Sequence, residues 1–338
     1  MAKEQSPKAK VVLELLAKFP DAATKTLAQK AYRANPELWN SLETCRCSVR
    51  YYRGAQGRKN RSGATNKTHF REPQQPGDPF GKLPEGREEM PDWEPFDIPG
   101  PCRALVLGDV HVPYHDTEAL VIAAKEGQKA GVDTVILLGD FMDCFALSRW
   151  EKDPRERNFK RELDTGRAVL EVLREAFDGC RIIYKLGNHD ERLESYLTCK
   201  APELLDIAEF ELASMLRCAE LNVEVVTDLR PITLGKLYLI HGHEYRFAIS
   251  NPVNPARGLY MRGKVLSMCA HFHQSSQHSE KSMDDSVVSC WSIGCLCSMR
   301  PRYMPLNKWN HGYSIAAVDE DGAFQVDNKR IIDGGAWS

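Results

Sequence analysis

Apolar positions follow two different rhythms along the chain, and the change between them divides it. The first part keeps helical spacing. Residues Lys8 to Phe19 carry Val11, Val12, Leu15 and Leu16, and Pro20 stops the run. Asp21 is placed to cap a second helix over Ala22 to Arg33, with Leu27, Ala28, Ala31 and Tyr32 on one face. A third helix starts at Pro36 or Ser41 and ends near Gly54. Its Leu42, Cys45, Val49 and Tyr52 make an apolar stripe, and Arg46, Arg50 and Arg53 make a basic stripe on another face. Three short helices, the last with a basic exposed side, follow helix-turn-helix logic. They predict an all-helical module over residues 1–55. Residues 56–98 are rich in Gly, Pro, Asn and Gln and show no period, which predicts a linker.

From residue 99 the pattern changes to short continuous apolar runs. RALVLGD (103–109), DTVILLGD (133–140) and RIIYKLGN (181–188) read as buried strands. Helical patterns over Glu118 to Lys129 and Glu162 to Phe177 lie between them. Strands alternating with helices predict a βαβ sheet with its active residues at the strand C-termini. From Val223 onward the pattern is mostly β: VEVV, PITLGKLYLIHG, KVLSMCAHF, SVVSCWS and YSIAAVDEDGAFQVDN. These runs predict a second sheet stacked on the first, so residues 99–338 read as one α/β domain.

Charge sharpens this division. The 338 residues carry a net charge of −2, yet residues 1–71 hold 15 Lys and Arg against 5 Asp and Glu. The eight bases from Arg46 to Arg71 have no acid among them. A basic arm on an acidic body points to a polyanionic partner, with DNA first in line; a solvated linker is the plainer alternative. The composition, 42% apolar and 27% charged, excludes disorder over the whole length. The uncharged stretch Ser286 to Met299 is too short and too polar to span a bilayer. The N-terminus shows no secretory pattern, and the eleven cysteines lack paired spacing. A soluble cytoplasmic protein is expected.

The chemistry-bearing residues stand just after the strands. They are Gly108-Asp109-Val110-His111, Gly139-Asp140-Phe141-Met142-Asp143, Gly187-Asn188-His189-Asp190, Ile240-His241-Gly242 and Ala270-His271-Phe272-His273. Carboxylate, imidazole and amide donors together suit Mn, Fe, Zn or Ni rather than a thiolate site. Asp140 has two carboxylate oxygens and can serve two ions, which together clamp a phosphoryl group.

These five blocks, in this order from about residue 102 to 318, resemble the calcineurin-like metallophosphoesterases, whose motifs run D-x-H, GD-x-x-D, GNH-D/E, H and GH-x-H. Some phage and bacterial relatives carry similar N-terminal segments. The resemblance implies a four-layer α/β/β/α sandwich and two divalent ions, Mn foremost, with Fe, Zn or Ni as alternatives. It implies that Asp109, His111 and His273 hold the first ion, that Asn188, His241 and His271 hold the second, and that Asp140 bridges them. His189 would meet the phosphate and protonate the leaving oxygen, with Asp190 orienting its imidazole. Two departures stand out. Ala270 occupies a position where the family usually has Gly, and His241-Gly242-His243-Glu244 imitates the closing block, which leaves His243 as a supporting group.

Asp143 is expected to support the site through hydrogen bonds. Arg149 and Arg192 are placed to grip a phosphate oxygen, with salt bridges to nearby acids as the alternative. His115, His278 and His311 read as surface or packing residues, and Cys290, Cys295 and Cys297 as core thiols, like Cys45 and Cys47. The expected function is hydrolysis of a phosphate ester by metal-bridged hydroxide, most readily a nuclease or phosphodiesterase acting on nucleic acid. The alternatives are a protein or nucleotide phosphomonoesterase, and a DNA-binding protein whose phosphoesterase scaffold is inactive.

Overall fold

The computed structural model describes residues 6–53, 83–86, 89–90, 93–149, 153–245 and 253–338. Most of the predicted linker, with Arg58, Lys59 and Arg61, lies outside them. The chain divides into two compact units, Met1–Glu89 and Met90–Ser338. Among the described residues no helix is long and apolar enough to cross a membrane.

The first unit contains the helices Pro7–Lys18, Thr24–Ala34 and Leu42–Arg53, with a short turn at Pro36–Leu38. Pro7 at the first helical position and the Ser6 hydroxyl, which accepts from Ala9 N at 3.3 Å, start the first helix. Asp21 does not cap the second helix, which begins at Thr24 with Ala23 before it. Ser41 starts the third: its hydroxyl accepts from Thr44 N at 3.2 Å. Val12, Leu27, Ala28, Ala31, Trp39, Cys45 and Val49 are buried together, so the apolar stripes meet as their spacing requires. The basic stripe is less available than expected. Arg53 folds back, donating to Pro20 O, Ala22 O and Thr24 Oγ1, and Arg46 pairs with Glu43 at 3.3 Å. Arg50 is exposed.

The second unit holds thirteen described strands. In chain order they are β1 (Phe96–Ile98), β2 (Cys102–Leu107), β3 (Thr134–Leu138), β4 (Arg181–Lys185) and β5 (Val223–Val226). Next come β6 (Ile232–Leu234), β7 (Leu237–Ile240), β8 (Ser267–Cys269), β9 (Ser276–Lys281) and β10 (Val287–Ser292). The last are β11 (Gly312–Val318), β12 (Phe324–Ile332) and β13 (Gly335–Trp337). One sheet has the order β13-β12-β11-β2-β3-β4-β5, and the other β1-β6-β7-β8-β10-β9. Not all the late strands form the second sheet. β5 extends the parallel β2-β3-β4 edge, and β11 adds antiparallel beside β2. Hydrophobic pattern reports that a strand is buried but not which sheet it joins.

Alternation along β2 builds the layers. Ala104 and Val106 face the other sheet, with Ile136, Leu138 and Ile183 meeting Ile232, Leu239, Met268 and Trp291. Leu105 and Leu107 face outward under the helices Thr117–Ala130 and Phe159–Ala176. On the far side, Ile240, Cys269 and Cys290 pack against Ala256 and Leu259 of the helix Pro255–Gly263. The result is an α/β/β/α stack. Parallel β2, β3 and β4 end on one rim, and parallel β7 and β8 bring their own loops to it.

Arg53 supplies a charged donor to two carbonyls, so Arg53→Ala should destabilise the helical unit by about 1–2 kcal/mol. Amide hydrogen exchange over Leu42–Arg53 in the full chain should then speed up by about tenfold. Unchanged protection would contradict this role.

Candidate metal centre

Each strand that reaches the rim turns sharply, and the turns leave unusual backbone. Asp109, His111, Asp140, His271 and His273 all have positive φ, between 51° and 68°. Non-glycine residues in that region cost roughly 1–3 kcal/mol each, and such strain collects at functional sites. A lattice of hydrogen bonds holds it. Asp109 N donates to Gly139 O at 3.1 Å, His111 N to Asp140 O at 2.9 Å, and His271 N to Asp109 Oδ2 at 2.8 Å. Ala270, the departure from the family pattern, does not take the left-handed conformation, which falls on His271. At Gly187 a Cβ would collide with the Asp140 carboxylate and amide, so only glycine lets the two loops meet.

The side chains converge on two buried carboxylates. Asp140 Oδ1 accepts from His189 N at 2.8 Å. Its Oδ2 lies 3.2 Å from His241 Nε2, 3.8 Å from His111 Nε2 and 3.9 Å from His189 Nε2. His241 Nδ1 donates to Leu138 O at 2.8 Å, which fixes the tautomer and turns Nε2 toward the centre. His271 Nδ1 is 3.3 Å from that Nε2. On the other side His273 Nε2 lies 3.2 Å from both Asp109 Oδ1 and His111 Nε2. Three groups of ligand atoms result: His111 with His273 and Cys297, His111 with Asp140 and His189, and Asp140 with His241 and His271.

Two observations show that these residues fit divalent metal ions. Asn188 Oδ1 and Asp109 Oδ1 are buried without a hydrogen-bond partner, Asp109 Oδ1 having only the His273 and His111 rings near it, and an oxygen so placed is costly unless a cation meets it. The field also favours positive charge here. Burial alone would lower His241, yet Asp140 raises it to about 10. His271, by contrast, is driven down to about 4 by burial and by the neighbouring His241.

The imidazole of His189 is held differently from the expectation. Its Nδ1 donates to Asp143 Oδ1 at 2.5 Å, and Arg192 Nη2 donates to its Nε2 at 2.9 Å. Arg192 Nη1 also reaches Asp143 O and Oδ1, at 2.8 and 3.0 Å. Burial would raise Asp143, but hydrogen bonds from His111 and His189 outweigh it and hold the carboxyl far below its usual range. Asp190, expected to orient His189, points elsewhere. It accepts from Tyr184 Oη, Gly187 N and Met142 N, and burial with the nearby Asp140 pushes it up to about 7. The reason is positional: Asp190 is fully buried beneath the turn, while Asp143 reaches the ring from the neighbouring strand's loop. Arg149 is exposed beyond the turn Phe145–Leu147, and Arg192 brings its guanidinium to the ring.

Other residues carry weight that the sequence did not show. Glu244 accepts from His241 N and Gly242 N and pairs with the buried Lys185 at 3.0 Å, tying β4 to the His241 loop. His243 faces Glu191 at 3.3 Å rather than Asp140. Cys297, read as a core thiol, stands 3.8 Å behind His273 at Nδ1, and the Trp309 ring lies 4.1 Å from the His273 ring. A charged Lys185 inside an apolar strand was the one available signal; nothing marked Trp309.

The fold and the paired ligand clusters define a metal-dependent phosphoesterase. The calcineurin-like phosphoesterase family model matches residues 102–277, and the chain belongs to that family. Among proteins it is similar to are the Gene 54 proteins of two mycobacteriophages. That of phage D29 is 30% identical over 252 residues, covering 70% of this chain and 98% of that protein. That of phage L5 is 26% identical over 229 residues, covering 64% and 89%. Solved structures with some likeness include a dimetal phosphatase from Danio rerio, with TM-score 0.35, 14% identity and coverage of 68% and 96%. Another is Vps29 from Entamoeba histolytica complexed with zinc, with TM-score 0.36, 11% identity and coverage of 70% and 96%. Both likenesses are too slight to bear on function.

Because three donors point at Asp190, Asp190→Ala should cost about 2–4 kcal/mol, and Asp190→Asn, which keeps an acceptor, should cost less. Urea midpoints would show it. Equal midpoints for wild type and Asp190→Ala would overturn the buttress role.

Proposed function

We propose that this chain is a dinuclear metal-dependent phosphodiesterase acting on nucleic acid. The observation that carries the reading is Asp140, whose carboxylate stands between His111 of one ligand group and His241 of the other, where it would be placed to serve two ions. Asp109, His111 and His273 would hold one ion, and Asn188, His241 and His271 the other. The nitrogen and oxygen donors suit Mn, with Fe, Zn or Ni as alternatives. Bound there, the ions supply neutralisation of the phosphoryl oxygens and activation of water.

The chain's own residues supply the rest. His189 has one nitrogen anchored on Asp143 and the other, held by Arg192, directed toward Asp140, the position from which a departing oxygen takes its proton. The ionised Asp143 stabilises the ring when it carries that proton. Arg192 holds His189 Nε2 in the free protein; a bound phosphoryl oxygen offers its planar fork a stronger partner and frees the nitrogen for proton transfer. Support for nucleic acid over a phosphoprotein comes from the run of bases Arg46 to Arg71 on a chain whose remainder is acidic.

The Mn-loaded full chain should hydrolyse bis-p-nitrophenyl phosphate faster than p-nitrophenyl phosphate and should cleave DNA. A monoester-only profile would overturn the diester reading. His189→Ala should keep its metal content and lose about a hundredfold or more in kcat on alkyl leaving groups, but less on nitrophenolate. Equal losses on both would show that His189 stabilises phosphate charge instead.

A further inference from the structure

The loop between β10 and β11 leaves the metal centre and returns to it. Its start is fixed where Ser298 N donates to Tyr114 O at 2.8 Å, and its end where Asn310 N donates to His273 O at 2.9 Å. Between these anchors residues 298–311 contain Arg300, Arg302 and Lys308 and no acid. Asn307 braces the loop from inside, donating through Nδ2 to Met299 O and Met304 O at 2.8 and 3.0 Å. Trp309 lies tilted against His273, with ring centroids 4.1 Å apart, and Tyr303 meets Trp309 edge-on with centroids 6.4 Å apart. Tyr303 is 74% exposed and reaches the centre's edge through Trp309, which lies against His273. A second pair of rings, Tyr114 and Phe145, stands where the loop begins. Arg302 pairs with Glu156 at 3.1 Å, while Arg300 and Lys308 are exposed.

A braced loop that exposes an aromatic face beside a phosphoesterase centre, with cations on either side of it, matches one ligand chemistry well. Unpaired bases offer flat apolar faces at the spacing of charged phosphates, and aromatic side chains with flanking Lys and Arg bind both. A duplex buries those faces in its own stack. We propose that the 298–311 loop grips single-stranded nucleic acid, stacking a base next to the scissile phosphate on Tyr303 while Arg300 and Lys308 take neighbouring phosphates. The proposal rests on the phosphodiesterase reading and adds its specificity: single strand over duplex, set by this loop.

Anisotropy titrations of the full chain in EDTA, where no cleavage occurs, test it with three labelled probes: a thymidine strand, an abasic strand of equal length, and a duplex. Wild type should bind the thymidine strand about fivefold or more tighter than the abasic one. Tyr303→Ala should erase that preference and Tyr303→Phe should keep it. Arg300→Ala with Lys308→Ala should weaken both strands and flatten the salt dependence by up to about 1.4 in log–log slope. Equal binding of thymidine and abasic strands by wild type, tighter binding of duplex, or an unaffected Tyr303→Ala would each overturn the proposal. Turnover of bis-p-nitrophenyl phosphate by the same wild-type preparation with Mn is read separately. Turnover without base preference would remove the loop's role and leave the phosphodiesterase standing. Base preference without turnover would do the reverse.

Discussion

The structure turns on the carboxylate of Asp140. It stands at the end of a fully buried strand, with one oxygen held by His189 N and the other facing three imidazoles. A carboxylate so buried is tolerable only if positive charge or donors surround it, and everything near it serves that requirement. Gly187 is bare so that the next loop can touch it, and Leu138 O aligns the His241 ring toward it. The left-handed backbone at Asp109, Asp140 and His271 is held by hydrogen bonds between loops from different strands.

Two carboxylates near this centre divide the labour by position. Asp143 lies at the imidazole and stays ionised, whereas Asp190 sits below it and takes three donors that lock the loops after β3 and β4 together. The pair Lys185–Glu244 does the same for the loop after β7. A rim assembled from five loops thus owes much of its rigidity to the hydrogen bonds and ion pairs of Asp143, Asp190, Lys185 and Glu244.

Much of this was legible in the chain itself. Apolar runs ending in Gly-Asp, Gly-Asn or His gave both the strands and the residues that converge, because a strand's last residue must face the rim. What could not be read depends on distance in space. The sequence places Asp190 next to His189, but in a tight turn neighbours point in different directions, and the ring's partner came from Asp143 on another loop. Arg53 looked like part of a solvated basic face, yet its reach lets it bind carbonyls of the preceding turn. Sheet membership of β5 and β11 depends on pairing partners that no local pattern reports.

The central claim is that Asp140 joins two ions in one site. Electron paramagnetic resonance of the protein loaded with excess Mn(II) measures this most directly. A carboxylate shared by two ions predicts an exchange-coupled dinuclear spectrum at saturation, lost in Asp140→Asn. A six-line mononuclear spectrum at every loading would contradict it.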